Sequence, residues 1–303
     1  MRSPTSRWSW VRSLLVPAGM LAVAGGLHAG QLIFPEAAAL SFGIIGLRID
    51  RWRTSPARIA VALPAAAALG VGLAQLPGPA WAYQIAALTS VLAGLRLLGS
   101  ALTPTISAAM LPLVFGLRDW TFVAAVAALA AVLAVAARRQ PRPGGPVTEG
   151  IPAGPVLAGW AIAATWIMVA GPVLHLPAAA MAPPLIVALF EWLGHQDRSA
   201  ALGARQWAIT TAAAATGVLL THYIQPSWLG GAVALAATVA VMAITATAHP
   251  PALAIALLPQ IAGAGHPARF VAALAGGAAV LYLSGTAAHH LAAIRRKKLP
   301  AAE

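Results

Sequence analysis

Long and short apolar runs alternate along this chain, and polar residues collect in the gaps between them. The first run extends from Ser13 to about Ile33. After Pro35-Glu36 comes a short piece ending at Leu47, followed by the basic loop 48–58. Ile59–Leu76 and Ala80–Leu98 read as two spans around the Pro-Gly-Pro turn at 77–79; 103–116 is a second short piece, and Trp120–Ala137 a long run. Residues 138–150, rich in Pro, Gly and Arg, form a linker. The same order of lengths then recurs: a long run at 152–174, a short one at Pro183–Gly194, the loop 195–205, and long runs at 206–224 and 228–248. A short segment from Pro251 to Ala262 and a long run from Ala268 to Ala293 complete it. About 20 apolar residues are needed to cross a hydrocarbon core of about 30 Å at about 1.5 Å per residue. The pattern therefore predicts an all-α polytopic membrane protein, with two tandem repeats of about six membrane segments each, including short or broken helices.

A constant shift of 147 residues aligns the halves without a gap. It pairs His28 with His175, Asp50 with Asp197, Arg51 with Arg198, Arg58 with Arg205, Gly70 with Gly217, Pro79 with Pro226, Trp81 with Trp228, Pro112 with Pro259 and Gly116 with Gly263. An internal repeat of this kind divides the chain into a first repeat at 1–137, a linker at 138–150, a second repeat at 151–294 and a basic tail at 295–303. Because His28 has its counterpart at the end of a run in the second half, the first run is expected to be a retained helix rather than a cleaved leader. Six segments per half is an even number, so the repeats would be parallel, related by an axis along the membrane normal; if one short piece per half re-enters instead, the parity is odd and the repeats invert, an arrangement the bias of the basic loops argues against. Trp8, Trp10, Trp52, Trp81, Trp120, Trp192 and Trp228 fall near span ends, where interfacial aromatic belts form.

Composition agrees: 60% of residues are hydrophobic and 9% charged, whereas soluble domains carry about 25% charge. The net charge of +12 resides in the gaps between runs, which predicts basic loops, the linker and both termini on the cytoplasmic side of an inner membrane. Nucleic-acid binding would need a basic face on a folded soluble domain, and the pattern holds none. Zero cysteines exclude disulfides and thiolate metal sites. No His/Asp/Glu group has metal-ligand spacing, and no phosphate-binding loop or hydrolase motif occurs, so the expectation is no cofactor, no metal and no enzymatic activity. Any transport would be passive or ion-coupled, or would draw on another subunit.

The candidate site is the stretch Ala246–Gly263, where His249, Pro250, Pro251 and Ala252 open a short apolar segment. Prolines suit a helix start, whose first N–H groups lack intrahelical partners, and such N–H groups favour anions. Imidazole titrates near neutral pH, so His249 is a candidate proton or substrate ligand; the plain alternative is a residue that holds the turn. Thr103 and Pro104 occupy the equivalent place in the first half. Glu36 and Glu191 sit at or inside short apolar pieces, and intramembrane carboxylates are expensive enough to mark ion paths. Glu191 could instead reach the aqueous edge, and Glu36 could complement a helix dipole. Arg58 and Arg205, with Asp50-Arg51 and Asp197-Arg198, fit either a salt-bridged anchoring loop or an anion-collecting vestibule.

The segment Thr247-Ala248-His249-Pro250-Pro251-Ala252 resembles the His-Pro-Pro signature of the HPP family of integral membrane proteins. Arg205 fits the arginine of that family's preceding loop and Gly217 its helix glycine, while Gly203-Ala204 stand where Gln-Pro is usual. Ser55-Pro56-Ala57-Arg58 resembles the same loop in the first half, although Leu102-Thr103-Pro104 replaces His-Pro-Pro there. The resemblance covers about 180–290, with 35–137 as a degenerate copy. It implies an association with nitrite transport, as in some plant and cyanobacterial relatives. The resulting expectation is a transporter or channel for a small inorganic anion of the nitrite or nitrate type, passive or proton-linked. Its partners would be the lipid bilayer and the anion, with assembly into a homo-oligomer left open. The rival expectation is a non-transporting scaffold or sensor component that assembles with partner subunits.

Overall fold

The computed structural model describes residues 7–52, 55–140, 150, 152–195, 199–263 and 266–298, and these form helices and connections without a strand. Asp197, Arg198, the greater part of the linker and the end of the basic tail lie outside the described residues. The first half runs α1 (Arg7–Ser13), α2 (Leu15–Gly26), α3 (Glu36–Ser41, continued by a π turn at Phe42–Gly46), α4 (Pro56–Ala74), α5 (Ala80–Leu97), α6 (Pro104–Phe115) and α7 (Thr121–Arg138). The second half runs α8 (Ala153–Ala170), α9 (Pro183–Gly194), α10 (Ala200–Tyr223), α11 (Ser227–Ile244), α12 (Pro251–Leu257), α13 (Pro259–Ala262) and α14 (Pro267–Lys298). Five of these stretches are long and apolar enough to cross a membrane: α4, α7, α8, α11 and Pro267–Leu291 of α14. The chain is thus an all-α, multi-pass membrane protein whose outer helices meet lipid. The helices α5 and α10 have comparable length but carry Gln84, Thr89 and Arg96, and Arg205, Gln206, Thr210 and Thr211, respectively.

The short helices α3, α6, α9 and α12 form the centre. Every residue of α3 and α12 is buried, as are Pro104–Leu113 of α6 and Pro183–Leu193 of α9. A helix that is apolar all round must be covered on all sides, and here the four contact one another across the halves, α6 on α9 and α12 on α3. The helices α4 and α5 cover α6, α10 and α11 cover α12, and α8 and α14 cover α9. Each short helix starts at proline: Pro35, Pro104, Pro183-Pro184 and Pro250-Pro251. Proline's missing N–H costs nothing there, and Gly116 in a left-handed conformation (φ 69°) ends α6.

Side-chain bonds tie helix ends together at each end of the bundle. Arg58 Nη1 at the start of α4 donates to Gly99 O just after α5 (3.0 Å), and Gln75 Nε2 just after α4 donates to Arg118 O (2.7 Å) between α6 and α7. In the second half, Gln260 Nε2 donates to Thr221 Oγ1 and to Ser227 O, both at 2.8 Å.

The sequence-based reading needs correction at three points. The run from Ser13 to Ile33 is not one helix: α2 ends at Gly26, His28 is left-handed (φ 51°), and a short 3-10 turn follows at Gly30–Leu32. Likewise α8 ends at Ala170, ahead of left-handed His175 (φ 49°). The segment Pro251–Ala262 is divided at Leu258 by Pro259, which can give no N–H to the preceding turn. Finally, Trp52 and Trp192 are core residues at 1% exposure, filling the space over Gly43 and beside Gly203 and Gly285, whereas Trp8, Trp81 and Trp120 are exposed as belt residues are.

Several backbone features recur at the 147-residue spacing. His28 and His175, Gly99 with Ala246, and Gly116 with Gly263 all have positive φ. Helix α5 (80–97) corresponds to α11 (227–244), and α6 (104–115) to 251–262. A Cβ on Gly70 would stand 2.1 Å from Ala109 O, and one on Gly217 would stand 2.4 Å from Ala256 O, so the same close approach of a long helix to a short one is made twice.

Candidate functional site

His249 is 2% exposed and stands one residue before the proline that caps α12. Its Nε2 lies 3.2 Å from Thr210 Oγ1 on α10 and 3.0 Å from Tyr282 Oη on α14, and its backbone N–H donates to Met242 Sδ (3.2 Å). A hydroxyl both donates and accepts, so the two oxygens satisfy Nε2 whether it carries a proton or a lone pair. Nε2 is therefore paired in either neutral tautomer of the ring. Thr210 reaches the site because α10 turns Gln206 and Thr210, one helical turn apart, to its buried face.

The Tyr282 ring packs edge-on against Trp192, with centroids 5.7 Å apart. Trp192 follows Glu191 in the last turns of α9, and Glu191 Oε1 accepts a 2.5 Å hydrogen bond from Thr103 Oγ1 at the start of α6. Five elements from both halves thus converge: α6, α9, α10, α12 and α14. Of the residues singled out from sequence, the structure brings Thr103, Glu191 and His249 into this one buried set. Pro104, Pro250, Pro251 and Ala252 form the adjoining helix starts. Glu191 is buried at 9% exposure. The N–H groups after the prolines are engaged along their own helices: Ala252 donates to His249 O and Leu253 to Pro250 O, both at 3.0 Å. Thr105 and Ile106 do the same to Leu102 O and Thr103 O. In this conformation the polar character of the site therefore comes from side chains.

Arg58 is half-buried on its bond to Gly99, and Arg205 is exposed on the first turns of α10; both lie outside the cluster. Glu36 is buried separately, at the start of α3. Thr210 and Tyr282 are the residues that sequence reasoning missed. The available signal was the Gln206/Thr210 spacing of four inside a span, and Tyr282 as the one tyrosine of the last run. Among the described residues no group of three or more His, Asp and Glu side chains could hold a metal ion.

Thr103→Val keeps the shape of the threonine but removes the donor to Glu191. Stability is expected to fall by about 1–3 kcal/mol, the cost of leaving a buried polar group short of a partner. Thermal unfolding in detergent would show it, and Thr103→Ser should keep most of the wild-type stability.

No curated protein and no solved structure matches the chain. A family model does: "HPP, transmembrane region" matches residues 204–299, about a third of the chain. That stretch runs from α10 to α14 and contains Thr210, Gly217, His249-Pro250-Pro251 and Tyr282. Residues 204–299, which carry the histidine and both of its hydroxyl partners, are thus similar to the transmembrane region of the HPP family, within a chain that is a multi-pass membrane protein.

Proposed function

We propose that this protein moves a small inorganic anion of the nitrite or nitrate type across the membrane, passively or linked to protons. The observation that carries the reading is the buried set of His249, Thr210, Tyr282, Glu191 and Thr103 at the meeting point of short, proline-started helices. Polar and ionisable side chains inside a bilayer are costly and mark ion or substrate paths, and non-helical backbone at membrane depth is tolerated where protein encloses it. An anion is favoured because basic residues predominate in the connections: 19 Lys and Arg stand against 7 Asp and Glu. Arg58 and Arg205, on the first turns of α4 and α10, would gather it, and Pro250-Pro251 and Pro104 would fix the backbone beside its path.

In this reading the chain is a duplicated unit whose parallel halves, 1–137 and 151–294, each contribute two short helices to the centre. The recurrence of left-handed residues and of the Gly70 and Gly217 contacts at one spacing supports it. Parallel halves with six segments each put the basic loops, the linker and both termini in the cytoplasm, with the protein in the inner membrane. It needs neither metal nor cofactor and catalyses no covalent step.

The test is uptake of nitrite, nitrate, formate and chloride into proteoliposomes of the purified protein, with and without a pH gradient. Saturable uptake of one or more of these is expected. Absence of uptake for all four, in folded protein, would favour a scaffold or sensor that works through partner subunits.

A further inference from the structure

Glu36 stands apart from the cluster around His249. It is the first residue of α3 and is 1% exposed, and among the described residues neither of its carboxyl oxygens has a hydrogen-bond partner. The elements packed against α3 are its own π turn, α2, α6, α7 and α12. None of these carries a Lys, Arg or His except α7, whose single charged residue, Arg138, is its last. The beginning of α7 is the end near Glu36, since Phe122 packs edge-on against Phe34 with centroids 6.1 Å apart. Arg138 is therefore at the far end. The polar side chain facing the carboxyl is Ser107 of α6, which is fully buried and whose hydroxyl also has no partner in hydrogen-bonding geometry.

An ionised carboxylate in such a place needs a counter-charge, a metal cation or a proton. Among the described residues, the helices packed against α3 supply no counter-charge to Glu36. Hard metal cations require about six or more oxygen ligands, and one carboxyl with one hydroxyl falls far short of that. A proton needs a single oxygen and leaves a neutral acid that can donate to a hydroxyl. We propose that Glu36, with the Ser107 hydroxyl facing it, is the site at which the coupling proton is carried through the membrane. While the carboxyl is buried as it is here, it holds that proton. When the site opens to one side a proton joins the carboxylate, and when it opens to the other the same proton leaves, with one anion moved in each cycle. This assignment rests on the transporter reading above, gives the coupling role to Glu36 rather than to the His249 cluster, and names the residue that faces it, Ser107.

Two readouts keep the assignment separate from that reading. The first is infrared spectroscopy of the full chain at neutral pH, wild type minus Glu36→Gln. A carboxylic acid C=O band present in wild type and lost in the variant is expected, and Ser107→Ala should shift that band without removing it. A difference spectrum containing only carboxylate bands would overturn the proposal, whether or not the protein transports anything. The second readout is anion accumulation in proteoliposomes. One proton per anion gives wild type up to about tenfold accumulation per unit of pH gradient. Glu36→Gln should still equilibrate the anion, with no accumulation. Gradient-driven accumulation that survives in Glu36→Gln would overturn the proton role. No flux in wild type would remove the transporter reading, while the infrared result would still decide how Glu36 is charged.

Discussion

Gly217→Ala is expected to destabilise the protein by about 1–3 kcal/mol or more, enough to lower the yield of folded protein and its melting temperature in detergent. An added Cβ would stand 2.4 Å from Ala256 O, and the atom it meets is backbone, so no rotamer change can relieve it. Relief would require α10 and α12 to move apart, which would separate Thr210 on α10 from His249 just ahead of α12. Gly70→Ala should behave alike, since its Cβ would stand 2.1 Å from Ala109 O between α4 and α6. At Gly72 and Gly276 nothing lies within 4 Å of the added atom. Alanine there should be neutral or stabilising by about 0.5–1 kcal/mol, because glycine is the poorer helix residue. Thermal unfolding of the four variants side by side separates a packing clash from the general effect of alanine on a helix. Equal stabilities across the set would mean that the long and short helices are not in close contact.

The second large effect is at His249. His249→Ala removes the ring between Thr210 and Tyr282 and is expected to lower anion flux at least about tenfold, the equivalent of 1.4 kcal/mol. Tyr282→Phe keeps the ring that packs on Trp192 and loses only the hydroxyl, so it should retain the fold while reducing flux in the same direction. A drop in flux with unchanged size-exclusion behaviour and melting temperature would separate function from folding. Wild-type flux in both variants would remove His249 from the path.

Much of the architecture was legible because proline, glycine and charge punctuate it. The short central helices could be read from their prolines and lengths, and α5, α9 and α11 begin and end close to where the apolar runs do. The breaks after α2 and α8 were not legible. They depend on His28 and His175 adopting left-handed conformations inside otherwise apolar runs, and histidine carries no strong local signal for that. The paired glycines could be recognised by their spacing, but the reason for them, a carbonyl of a short helix lying against each, exists only in the packed structure. Of the site, His249, Thr103 and Glu191 stood out as polar residues in apolar surroundings. Thr210 and Tyr282 did not, since each resembles an ordinary member of a span until three helices bring them to one ring nitrogen. Trp52 and Trp192 misled because tryptophan near a span end fits the interface as readily as it fits a core, and only the glycines opposite them decide which.

The most direct test of the central claim is the current evoked by nitrite and nitrate when proteoliposomes of the full chain are adsorbed on a solid-supported membrane. A saturable, protein-dependent current in wild type that falls with His249→Ala is the result expected of an anion transporter built around this buried cluster. Folded wild-type protein that gives no current and no uptake with any tested anion would contradict it, and would mark the cluster as a structural brace within a non-transporting membrane component.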